Sequence, residues 1–144
     1  MAFNQGFNNG NSGKTGGGGG ATDIDGLSDG HYNSTSLSVG LGTGALAAED
    51  VTAVRYNVAV GYQALYTNTT GYGNTATGKS ALMNNSTGYE NTASGYHALK
   101  NNSTGNRNTA HGYQALSSNS TGVWNTATGY QALFYNTGSR NTAT

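Results

Sequence analysis

From Asn57 onward the chain repeats itself every seventeen residues. It reads NVAVGYQALYTNTTGYG, NTATGKSALMNNSTGYE, NTASGYHALKNNSTGNR, NTAHGYQALSSNSTGVW, NTATGYQALFYNTGSR and NTAT. The leading Asn falls at 57, 74, 91, 108, 125 and 141, so only the last step is sixteen. An Ala-Leu pair recurs at 64–65, 81–82, 98–99, 115–116 and 132–133, and a second Asn at 68, 85, 102, 119 and 136. A strict period of this kind marks a stack of like units that bury their apolar side chains against one another.

Seventeen residues are too few for a helical repeat of two helices and a turn, which needs about 33. Each unit carries two Gly with Asn and Thr, all weak helix formers. Asn-Thr-Ala-Thr-Gly and Tyr-Gln-Ala-Leu are expected as two short strands. Asn-x-Thr-Gly is expected as a turn, because Asn and Gly tolerate positive φ. The fold class that follows is all-β: a β-solenoid or β-roll fibre whose rungs stack at about 4.8 Å. Identical side chains then form ladders.

The apolar content is thin. Leu, Ile, Val and Phe number 19 of 144 residues, against 24 Gly, 19 Asn and 20 Thr. That is below the share with which an ordinary domain builds its core. Charged residues are only 8%, so the charge-extended disordered class does not fit either. The dependable apolar residues are two Ala and one Leu per unit, with Leu65, Leu82, Leu99, Leu116 and Leu133 as the repeat core. Burial on that scale does not offset the ordering entropy of a lone chain. Small residues in strict repeat suit a shared axis, and a homotrimer is the expected assembly.

Outside the repeats, residues 1–20 form a Gly-rich leader, with Phe3 and Phe7 as candidate docking side chains. Its GNSGKT stretch is not a phosphate loop, since Asn8 stands where that pattern needs Gly. Residues 21–35 are a linker in which Asp23, Asp25 and Asp29 suit Asx turns better than a calcium loop, which would need a Glu where Ser34 stands. Residues 36–56 look like a degenerate first unit, a cap or transition rung, with SLSVG placed on NVAVG and four extra residues. Residues 57–144 are five repeats and the start of a sixth, which suggests the front part of a longer protein.

There is no Cys, no apolar run of membrane-spanning length and no apolar secretory leader. Residues 1–50 hold one Lys and five acids, and residues 51–144 hold five bases and Glu90 alone. The repeats are thus too weakly cationic for a nucleic-acid partner. No catalytic, metal-binding or cofactor-binding set emerges: His31, His97 and His111 stand singly, and one carboxylate in the repeats makes no acid–base pair. Tyr62, Tyr96, Tyr113 and Tyr130, with Lys79 at the second place, are expected to stack as a structural ladder with a cation–π contact at Lys79. A saccharide-binding stripe is the rival reading of that column. The most variable positions mark exposed turns, and from them Tyr72, Tyr89, Arg107, Trp124 and Arg140 are the contact candidates.

NTATGYQAL followed by Asn-x-Thr-Gly resembles the tandem repeats of phage tail-fibre proteins. It is similar, more distantly, to the head repeats of trimeric autotransporter adhesins. TDIDGLSDG resembles the short linker that leads into such fibre repeats. The resemblance implies a homotrimeric β-rich rod on a virion, outside cells. Its N-terminus would join a tail or capsid protein, and its distal part would reach a host-surface receptor such as a glycan. No membrane insertion is expected. A bacterial surface adhesin or extracellular filament is the first alternative, and the non-catalytic stalk of a glycan-active fibre enzyme the second.

Overall fold

The computed structural model describes residues 30–33 and 35–144. Phe3, Phe7, the Gly-rich leader and most of the linker lie outside them. The described chain is a parallel β-solenoid of about six turns. Its single sheet runs in chain order: β1 (Gly30–Asn33), β2 (Ser38–Leu41), β3 (Val58–Val60), β4 (Thr75–Thr77), β5 (Thr92–Ser94), β6 (Thr109–His111), β7 (Thr126–Thr128) and β8 (Thr142–Ala143). Every neighbour from β2 to β8 is parallel and in register, so Ala59, Ala76, Ala93, Ala110 and Ala127 form one inward column. β1 alone runs antiparallel and covers the N-terminal edge at β2.

Each rung holds one strand, not two. The Tyr-Gln-Ala-Leu segment is a tight turn with two residues in the left-handed region. They are the Gln position (φ 53° to 58° at Gln63, Ser80, His97, Gln114 and Gln131) and the Leu position (φ 50° to 51° at Leu65, Leu82, Leu99, Leu116 and Leu133). Such a conformation costs about 1–2 kcal/mol per residue for side chains other than Gly. Hydrogen bonds to both neighbouring rungs offset that cost. His97 N–H donates to the Lys79 carbonyl of the preceding rung at 3.0 Å, and Leu99 N–H to the Ala115 carbonyl of the next at 2.9 Å. The turn is therefore laddered as fully as the strand, without being extended. Period alone does not reveal this, because Gln and Leu are ordinary right-handed residues elsewhere.

The two recurrent glycines serve different ends. The first, at 61, 78, 95, 112 and 129, has φ between 121° and 137°, a region that L side chains rarely adopt. The second, at 71, 88, 105 and 122, does not have positive φ, contrary to the turn expectation for Asn-x-Thr-Gly. A Cβ on Gly88 would fall on Asn85 Oδ1 and the Gly105 carbonyl oxygen. Gly is there because buried amides crowd the backbone.

Those amides enlarge the core beyond Ala and Leu. Asn57, Asn68, Asn74, Asn85, Asn91, Asn102, Asn108, Asn119 and Asn125 are completely buried, beside Leu65, Leu82, Leu99 and Leu116. Leu133, in the last full rung, is only partly buried. The interior is half apolar and half amide, and it closes within one chain. Leu65, Leu82, Leu99 and Leu116 are covered by their own chain.

The first rung is also differently registered from the expectation. Val39 pairs with Val58 and Leu41 with Val60, so SVGLG, not SLSVG, lies on NVAVG. The offset is nineteen residues, and Gly42, at φ 117°, takes the place of Gly61. Gly42-Thr43-Gly44-Ala45-Leu46 matches Gly61-Tyr62-Gln63-Ala64-Leu65, a signal present in the Ala-Leu pair at 45–46. The two extra residues fall in the turn between Leu46 and Asn57.

Candidate functional site

Two ladders of buried Asn run the length of the rod. In the first, Asn91 N–H and Nδ2 donate to Asn74 Oδ1 at 3.0 and 3.1 Å, and Asn108 and Asn125 repeat the pattern. In the second, Asn85 Nδ2 donates to Asn68 Oδ1 and Asn102 Nδ2 to Asn85 Oδ1, both at 2.8 Å. Both ladders also donate within the rung to one carbonyl: Gly105 O accepts from Asn91 Nδ2 at 2.9 Å and from Asn102 Nδ2 at 2.8 Å. That shared acceptor closes the rung. Buried amides left unpaired would cost heavily, so their complete pairing turns a polar interior into a rigid one. Among the described residues, Arg55 Nε is the buried side-chain polar atom that lacks a partner.

The first ladder ends in a built terminus. Ser38 occupies the Asn position of the first rung, and its Oγ accepts from Asn57 N–H at 3.0 Å. Glu49 Oε1 accepts from Asn57 Nδ2 at 2.6 Å and from Ser38 Oγ at 3.0 Å, while Oε2 accepts from Ser36 Oγ at 3.2 Å. A carboxylate accepts only, so it terminates a chain of donors that all point toward it. Next to it, Asp50 pairs with Arg55 at 2.8 Å. Hydrogen bonds from Thr52 hold the Asp50 carboxyl below the usual carboxylate range.

The surface is organised in columns. Tyr96, Tyr113 and Tyr130 stack with centroids 5.2 Å apart and planes within 6°. Lys79 Nζ lies 5.7 Å from the ring centres of Tyr62 and Tyr96, filling the gap as a cation. Ring faces engaged in this way are not free for a sugar, which argues against the saccharide stripe. His97 packs on Tyr96 at 3.8 Å, and burial, with Lys100 and Lys79 nearby, lowers its pKa.

Four of the five contact candidates, Tyr72, Tyr89, Arg107 and Trp124, come together on one edge of the rod. Tyr72 and Tyr89 stack at 4.9 Å, so Tyr89 is half-buried rather than exposed. Arg107 bonds Glu90 at 2.7 Å, which raises its pKa further, and it lies 4.7 Å from the Trp124 ring and 5.5 Å from that of Tyr89. Trp124 keeps half its surface exposed. Arg140 continues the same column one rung on, its N–H bonded to the Val123 carbonyl at 2.9 Å. This edge presents an aromatic and cationic ridge on a rigid base.

Among the described residues, no three His, Asp or Glu gather as metal ligands, and no helix is long and apolar enough to cross a membrane. Comparison with family models, with curated proteins and with solved structures finds no match to this chain.

Proposed function

We propose that this chain is the shaft of a virion fibre, joined to its particle by the N-terminal leader and supporting attachment to a host cell. The observation that carries this reading is the pairing of every rung to the next through strand, turn and two amide ladders. Such a body is stiff along its axis and lengthens by whole rungs, which suits a spacer. Among the variable turn side chains, the Tyr89–Arg107–Trp124 ridge is the contact candidate.

The assembly we propose is a homotrimer of closed solenoids side by side rather than chains wound about one core. Leu37, Val54, Tyr56, Val58 and Val60 are exposed together near the N-terminal end, and they supply the apolar contact. The test has two parts. Sedimentation of the whole chain is expected to give three times the chain mass, and a cooperative monomer overturns the trimer. In virions assembled with a chain lacking residues 2–15, the fibre is expected to be missing from purified particles. Normal occupancy, or recovery of the chain on bacterial surfaces instead, overturns the docking role.

A further inference from the structure

We propose that the sheet face of the rod binds ice, holding ordered water on ranked threonine hydroxyls. This does not rest on the fibre reading. The strands place two residues outward on either side of the buried Ala: Thr75 and Thr77, Thr92 and Ser94, Thr109 and His111, Thr126 and Thr128, Thr142 and Thr144. In-register parallel pairing sets these into two straight files. Within a rung the files are about 6.6 Å apart, and between rungs the step is about 4.8 Å. In hexagonal ice, oxygens repeat slightly more closely than the second distance along the basal axis and slightly more widely than the first along the perpendicular one.

Three further observations favour a crystalline lattice over other occupants. The first is flatness. Ordinary sheets rotate about 20–25° from strand to strand, yet stacked rings on two separate columns of this rod stay within 4° to 6°. Only an untwisted face keeps its files in step with a lattice over several rungs. The second is that the strand hydroxyls of Thr75, Thr77, Thr92, Thr109, Thr126 and Thr128 are exposed and bonded to no protein group among the described residues. The turn hydroxyls of Thr67 and Thr69, by contrast, donate to carbonyls of the next rung. The third is chemistry. The files carry no Lys, Arg, Asp or Glu, and each Thr adds a methyl group beside its hydroxyl, which fixes neighbouring water without dispersing it. A crystalline polysaccharide would call for exposed flat rings, and the neighbouring Tyr column is stacked on itself. The files run from β4 onward: Val58 and Val60 stand ahead of them on β3, and His111 is the bulky interruption within them.

The whole chain is frozen slowly from dilute solution on a cold finger, and its share in the ice is measured beside thermal hysteresis. The expected result is enrichment in ice, lost in Thr92→Lys and Thr126→Lys, kept in Asn101→Lys on a turn, and increased in His111→Thr, which completes the file. Melting by circular dichroism accompanies each variant, and the gain in His111→Thr serves if a Lys variant does not fold. Exclusion of the wild-type chain from ice overturns the proposal, as does equal enrichment of folded Lys variants. Retention on crystalline cellulose that the same Lys variants abolish assigns the face to a polysaccharide and also overturns it. A change of sedimentation in those variants overturns it in favour of a subunit contact.

Discussion

Asn101 and Asn102 are adjacent and chemically identical, yet the rung gives them opposite lives. Asn102 is fully buried, donates to Asn85 Oδ1 and Gly105 O, and accepts from Asn119 Nδ2 at 3.1 Å. Asn101 is exposed, and its side-chain oxygen accepts from Asn84 Nδ2 at the surface. Asn102→Leu keeps the branched outline but adds bulk and strands Asn85 Oδ1 in the interior. A loss of about 1–3 kcal/mol is expected, read from denaturant midpoints. Asn101→Leu is expected to stay within about 0.5 kcal/mol. The period made both positions visible in the sequence, but it could not say which pointed inward. Composition counted Asn as turn residue, because a lone buried amide is costly; only the stacking of identical amides turns that cost into a bonded column.

At the scale of the element, the strand was legible and the turn was not. Thr-Ala-Thr alternates outward and inward, so period two announces it, and β4 to β7 form where that pattern stands. Tyr-Gln-Ala-Leu carries the same promise of extension, but its left-handed Gln and Leu bend it, held by contacts with the rungs on either side. No local propensity records those contacts. The first rung shows a similar limit. Glu49, in the unit that departs from the repeat, proves to be the acceptor that ends the amide ladder. Glu49→Ala is expected to cost about 1–3 kcal/mol and to raise amide exchange in β2 and β3 before the later rungs. Glu90→Ala, which breaks an exposed pair with Arg107, is expected to cost about 1 kcal/mol or less.

For the whole molecule, stability is a sum over rungs and the interfaces between them. Deleting residues 91–107 removes one full period and sets Asn108 on Asn74 with every ladder in step. That chain is expected to fold with a modestly lower melting temperature. Deleting residues 95–102 instead removes a left-handed Leu with its Gly and breaks both the apolar column and an Asn column. It is expected to lose the cooperative transition seen by circular dichroism. The rung from Asn125 to Asn141 marks the tolerance: it drops one residue between Asn136 and Gly138, and the Asn136 amide still reaches the Gly138 carbonyl at 2.9 Å. A single omission in a turn is absorbed, whereas half a period cannot be. The overall architecture was open to reading from periodicity. The closed single-chain interior was not, because it depends on amides that composition places outside.

Every inter-rung amide in the two ladders donates toward the N-terminus. A finished rung therefore offers its unused oxygens on one side only, like a row of sockets awaiting plugs. Synthesis from the N-terminus supplies the plugs in that order, with Glu49 and β1 already sealing the starting end. The rod can thus zip up one turn at a time while the ribosome is still at work.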